Sequence, residues 1–299
     1  MNTVKTGIDG LNLTFDTDIS FENLMFMFEG ISTYQWILED SKLKWYRNCY
    51  SLKTSNNTTL VQFHVLPTSQ YGERNLLIVN GLCFSDSALN ALRPFNVAKF
   101  VYWALQFKAK VTKFDVYLDD FTASISQERL NEMSQPHTFK QFIQSPFLKC
   151  KDGERPDPRY YKGTWYYGQP RRNACEITTY NKGLSTRQRI HSKANPLKYT
   201  WQRYELRFAS TTAKRLGTPF LSALAAGQNL NTLITDLFRK YLRFTEPNPK
   251  CSRVSTWHLQ EWYSNLLALA DQQPAATYAY DYTGEKSLNP YSIFYNHID

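Results

Sequence analysis

Val111-Thr-Lys-Phe-Asp-Val-Tyr-Leu-Asp-Asp120 decides how the rest of the 299-residue chain is read. From Lys113 to Asp119 polar and apolar side chains alternate. Side chains on a strand point to opposite faces in turn, so Lys113, Asp115, Tyr117 and Asp119 share one face, and Phe114, Val116 and Leu118 share the other. One face is polar and the other belongs to a core.

On the N-terminal side, residues 7–17 alternate in the same way over Ile8 to Phe15 and read as a strand. A helix is expected over Asp18 to Glu29 with Ser20 as N-cap. Strands follow over Leu43–Leu52, Thr58–Leu66 and Asn75–Phe84, separated by polar Ser/Asn/Gly clusters. Ser85 or Asp86 would cap a further helix that restarts after Pro94 and runs from Val97 to Phe107. On the C-terminal side a helix is expected from about Ser126 through Met133, then a polar loop over residues 150–162. Three short strands follow, around Gly163–Gly168, Ala174–Gly183 and Trp201–Arg207. This order gives an α+β fold, mainly antiparallel sheet with flanking helices. The similar placing of Asp9–Asp16 and Asp115–Asp119 raises an internally duplicated core, with half-repeats over about 1–95 and 96–218. From Pro219 the apolar spacing turns helical, so residues 219–299 are expected to form a C-terminal helical domain beside the 1–218 core.

The net charge of +9 and a pI near 9.2 point to a polyanionic partner, nucleic acid before membrane, because no polybasic amphipathic helix stands out. Five widely spaced cysteines without a CxxC read as reduced thiols. No signal peptide is evident and no run reaches about 18 apolar residues, so the expected location is the cytoplasm. There is no phosphate-binding glycine loop, no HExxH and no His-x-His pair. A bound metal would therefore be a hard, oxygen-ligated ion such as Mg²⁺ or Mn²⁺.

Asp115 and Asp119 stand about 13 Å apart along an extended strand, whereas two oxygens sharing one Mg²⁺ lie within about 4 Å. A second ligand must come from a neighbouring strand. In Arg203-Tyr-Glu-Leu-Arg207 alternation sets Arg203, Glu205 and Arg207 on one face, which makes Asp115 with Glu205 the preferred pair and Asp119 the lesser candidate. A plain cross-strand ion pair is the competing reading. Tyr180 and Lys182 share a strand face with Glu176 and Thr178. A phenol of pKa near 10 is about 3 units too weak an acid at pH 7, and the Lys182 ammonium is placed to lower it. With 20 tyrosines in the chain, the alternative is a packing residue. Lys113, Arg171, Arg172, Arg203 and Arg207 supply positive charge, and Trp165 an aromatic surface, a mixture suited to phosphates and stacked bases.

Four segments taken in order, Lys113–Asp120, Gly163–Gly168, Ile177–Lys182 and Arg203–Arg207, resemble the replication initiation factor family of rolling-circle plasmid initiators and relaxases of integrative elements. The resemblance covers about 75–215. It implies that Tyr180 nicks one DNA strand at an origin as a 5′-phosphotyrosine, leaving a 3′-OH, and that Asp115 and Glu205 serve a divalent metal. It also implies a homodimer, a host helicase and replication machinery as partners, and origin DNA, single- and double-stranded, bound partly through the C-terminal region. Lys113 and Thr178 stand where the family carries arginines, so a phosphate clamp would fall to Arg171 or Arg172. Two rival readings remain: a non-catalytic, sequence-specific DNA-binding protein, and a metal-dependent nuclease in which water attacks.

Overall fold

A computed structural model describes residues 3–15, 19–25, 27, 35–54, 57–68, 74–84, 97–148, 157–168, 175–184, 200–251, 253 and 256–273. Its centre is a ten-stranded antiparallel sheet. The first half of the chain supplies β1 (Val4–Thr14), β2 (Gln35–Asp40), β3 (Tyr46–Lys53), β4 (Thr59–Pro67) and β5 (Leu76–Asn80). Helix α1 (Phe21–Met25) follows β1, and helix α2 (Val97–Gln106) closes the half. The second half begins with β6 (Lys110–Asp120), which is followed by helix α3 (Gln127–Met133), the single-turn helix α4 (Phe139–Phe142) and the two-residue strand β7 (Ile143–Gln144). It then runs through β8 (Arg159–Tyr161), β9 (Thr164–Tyr167), β10 (Cys175–Asn181) and β11 (Gln202–Ala209) into helix α5 (Ser210–Ala225).

Across the sheet the order is β2-β3-β4-β5-β1-β6-β11-β10-β9-β8. Each half therefore places its first strand at the centre, its last strand beside it and the others outward in reverse sequence order, and a helix follows the last strand. The two halves thus share one strand order, with the helix Val97–Gln106 belonging to the first half and not, as expected, to the second. Helix α6 (Leu230–Tyr241), the short strand β12 (Arg243–Phe244), which pairs with β7, and helix α7 (Glu261–Gln272) complete the described chain.

The apolar face packs against helices. Phe114 of β6 stacks on Phe208 of β11 and meets Phe220 of α5, with ring centroids 5.9 and 4.7 Å apart. Helix α5 approaches β6 so closely that a Cβ at Gly217 would come within 2.5 Å of Val111 Cγ1, so the glycine is a packing requirement. Tyr204 points into this core, as its position in the alternation requires.

Two β-bulges interrupt the central β1–β6 ladder. The register skips Asp9 between Ile8 and Gly10, and Thr112 between Lys113 and Val111. Each extra residue lets apolar side chains on both sides of it stay in the core: Ile8 with Leu11, and Val111 with Phe114. The bulge at Asp9 leaves that carboxylate free to turn toward β11.

Several expectations need adjustment. The strand expected over 7–17 is Val4–Thr14, and the strand expected over Asn75–Phe84 ends at Asn80 in a 3₁₀ turn, Gly81–Phe84. Strand β2 was not expected. Helix α5 begins at Ser210 and runs through Pro219, where a new helical region was expected to start. The helix capped by Ser85 or Asp86, the loop arginines and the tail beyond 273 lie outside the described residues.

Candidate functional site

The site is built on the polar face of β6, β11 and β10. The ladder sets three cross-strand rungs there: Asp119–Arg203–Tyr180, Tyr117–Glu205–Thr178 and Asp115–Arg207–Glu176. Antiparallel register places each trio side by side at about 4.5–5.5 Å between side-chain origins, so every carboxylate has a cation or hydroxyl as neighbour.

Glu205 is the hub. Its Oε1 accepts a hydrogen bond from the Tyr180 hydroxyl at 2.6 Å, and its Oε2 accepts from Thr178 Oγ1 at 3.1 Å and Arg207 Nε at 2.8 Å. Arg207 Nη2 reaches the same oxygen. Burial alone would raise the Glu205 pKa; Arg207 foremost, then the Tyr180 hydrogen bond and Arg203, hold it below the usual value. Lys182, in the turn after β10, donates to Tyr180 Oη at 3.3 Å. The expected contact is thus present, yet the net effect on the phenol is upward. Burial and the Glu205 charge outweigh the nearby cations, so without a bound substrate Tyr180 stays protonated at neutral pH. Burial and the Arg203 charge push the Lys182 pKa down.

Arg203 is a structural strut. It grips Asp119 with Nε at 2.6 Å and Nη2 at 2.7 Å, reaches the bulged Asp9 with Nη1 at 2.9 Å, and lies 3.9 Å over the Tyr117 ring. That ring covers Gly7, where a Cβ would collide with it at 2.5 Å. The two-pronged pairing of a buried arginine and carboxylate fixes the β6–β11 register rigidly. Both oxygens of Asp119 are thereby taken by Arg203.

Asp115 differs. Its Oδ2 pairs with Lys113 Nζ at 2.6 Å, but its Oδ1 is buried with no hydrogen-bond partner among the described residues. Burial, only partly offset by Lys113, lifts its carboxyl to about 6. An orphaned buried oxygen is costly unless something donates to it, and Asp115 lines an open cleft of about 380 Å³ beside the site. In kind, carboxylate oxygens suit Mg²⁺ or Mn²⁺, and Asp115 Oδ1 is an unpartnered oxygen among the described residues; the Glu205 oxygens already accept from Tyr180, Thr178 and Arg207. Among the described residues no three acidic, histidine or cysteine side chains cluster as a metal site.

Of the residues expected to act together, Tyr180, Lys182, Glu205, Arg203 and Arg207 are brought together, with Asp115 one rung further along. Trp165 is not. It is buried on the helical face, where its indole donates to Asn131 Oδ1 of α3 at 2.9 Å. Lys113 remains half exposed beside Asp115. Arg171 and Arg172 fall outside the described residues. The sequence reading missed Thr178 and Asp9 as partners of Glu205 and Arg203. The Asp9-Gly10 pair, an interruption in an otherwise regular alternation, was the available signal for the bulge.

No curated protein sequence matches the chain. A solved structure described as a rolling circle replication initiator protein from Geobacillus stearothermophilus is similar to it, with a TM-score of 0.62, 16% identity, and coverage of 92% of this chain and 99% of that one. At that identity the likeness establishes the fold. The sequence profile of the replication initiation factor family matches residues 109–289, which includes β6, β10, β11 and every residue of the three cross-strand rungs. The chain belongs to the replication initiation factor family.

Proposed function

We propose that this protein initiates rolling-circle replication or transfer by nicking and rejoining one DNA strand at an origin, with Tyr180 as nucleophile. The observation that carries the reading is the Tyr180 hydroxyl held at 2.6 Å from Glu205 and 3.3 Å from Lys182, inside the segment that matches the family.

In the nicking step the Tyr180 oxygen bonds to phosphorus and the phenolic proton passes to Glu205, which already accepts its hydrogen bond. The bond from phosphorus to O3′ breaks, and O3′ leaves with a proton from solvent. The products are a 5′-phosphotyrosine and a 3′-OH that primes synthesis; rejoining reverses the step. Lys182 offsets charge building on the attacking oxygen, and Arg207 keeps Glu205 ionised and oriented. Arg203 and Asp119 hold the strands in register. Asp115 and Glu205 are the residues that would hold a divalent ion, whose charge would stabilise the pentavalent phosphorus.

Lys113 and Arg207, on the open face, and Arg171 and Arg172, are the phosphate contacts of this reading. Residues 219–299 would add origin specificity or dimerisation, with a homodimer and a host helicase as partners in the cytoplasm. Among the described residues no helix is long and apolar enough to cross a membrane, which leaves β-barrels unaddressed.

The test incubates the protein and Tyr180→Phe with supercoiled plasmid carrying its own origin and Mn²⁺. The expected result is relaxed circles and a protein-linked 5′ end with the unaltered chain, and neither with the variant. Nicking without any adduct would favour metal-activated water, and binding without nicking would favour a non-catalytic DNA-binding protein.

A further inference from the structure

The corresponding strands of the first half, β4 and β5, carry no nucleophile–carboxylate pair on this face. Where β10 and β11 present Tyr180, Thr178, Glu205 and Arg207, the face of β4 and β5 presents Gln62, Ile78 and Asn80, and β1 adds Asn12. Together they line the cleft of about 380 Å³, whose far wall is Asp115 and Arg207 of the nicking site. The cleft and the site are therefore one continuous surface: Arg207 touches Glu205 on one side and borders the cleft on the other.

We infer that this cleft receives one unstacked base of the nicked strand and reads its edge with the Asn12 and Gln62 amides, so that the catalytically silent half of the sheet sets nick-site sequence preference. The inference rests on the nicking reading above for which strand is bound, but the cleft chemistry stands on its own. Ile78 gives an apolar floor for a ring. Carboxamides present a donor and an acceptor together, which suits the paired groups on a base edge. Asn12 has no side-chain partner among the described residues, and Gln62 makes only a long contact of 4.0 Å to Cys49 Sγ. The half-exposed Lys113 stands at the rim, placed for a phosphate. From β10 to β1 is three strand spacings, about 14 Å, and Asn12 faces Lys113, six residues (about 20 Å) along β6 from the Asp119 that is level with Tyr180. The base therefore lies about 24 Å from the cut, roughly seven nucleotides at the ~3.4 Å rise of a stacked strand.

The experiment captures single-stranded oligonucleotides from a randomised pool with the full Tyr180→Phe chain, then repeats the capture with Gln62→Leu or Asn12→Ala added. Sequencing of bound DNA reads preference position by position, and no nicking is needed, so failure of the nucleophile assignment leaves the result interpretable. Enrichment of about tenfold for one base at one position is expected, flattened at that position alone by either added variant, both of which melt like the parent. A pool without positional enrichment, enrichment untouched by both variants, or equal loss of every sequence would overturn the inference.

Discussion

The two halves of the sheet share a strand order and differ in what they place on the open face. In the second half, Glu205, Asp119 and Arg203 are packed out of solvent in a network with Tyr180 and the partly exposed Arg207. In the first half the corresponding face carries Gln62, Ile78 and Asn80, and its titratable cluster lies further out. There Glu39 accepts from Lys53 at 2.8 Å and Ser51 at 2.6 Å, and His64 meets Ser41 at 2.9 Å. Burial keeps the His64 pKa low, so that ring is neutral. The difference teaches that two halves with one strand order need the costly buried charges in only one of them. The other half is free to hold a cleft.

The largest contrast is expected in catalysis. Tyr180→Phe should lower adduct formation by at least about a thousandfold, as loss of a nucleophile does, while His64→Gln, on the matching strand of the other half, should nick at the parental rate. Equal losses in the two variants, scored as protein-linked DNA on denaturing gels, would break the asymmetry.

Stability should divide the halves next. Arg203→Met leaves the buried Asp119 without its partner and should cost about 3–5 kcal/mol. Lys53→Met, at the less buried pair with Glu39, should cost no more than about 1 kcal/mol. Urea unfolding of both variants measures the gap, and similar midpoints would contradict it.

Asp115 sharpens the comparison through pH. Its folded carboxyl titrates near 6, against about 3.9 in an unfolded chain. The folded state therefore binds more protons between those values, and stability falls as pH rises through the window. Asp115→Asn should raise stability above about pH 6 by about 3 kcal/mol, with the gain vanishing below about pH 4. The same variant should lose nicking. A melting-temperature series with pH that shows a constant offset would remove burial as the cause.

Much of this arrangement could be read from residue order. The alternation in Lys113–Asp119 and Arg203–Arg207 fixes which side chains share the polar face, because side-chain direction along a strand is local. Which residues oppose each other is not local. Asp115 and Glu205 were expected as neighbours, whereas the ladder sets Asp115 against Arg207 and Glu205 against Tyr117, leaving the two carboxylates diagonal. Bulges at Asp9 and Thr112 shift registers in ways a strand read singly cannot reveal. Strand β2 escaped because it is an outer strand with Ile37 and Leu38 exposed among charges, and so lacks a buried face. The start of α5 escaped because Ser210, Thr211, Thr212, Gly217 and Pro219 are poor helix formers, overridden here by packing on β6. The upward shift of the Tyr180 hydroxyl depends on burial and on Glu205 from another strand, so the Lys182 spacing alone pointed the wrong way.

The most direct test of the account is to trap the protein on single-stranded DNA of its own origin with Mn²⁺, digest both components, and locate the nucleotide by mass spectrometry. The account predicts a 5′-phosphonucleotide on the peptide containing Tyr180 and on no other. A nucleotide on a different tyrosine, or cleaved DNA with every tyrosine unmodified, would contradict it.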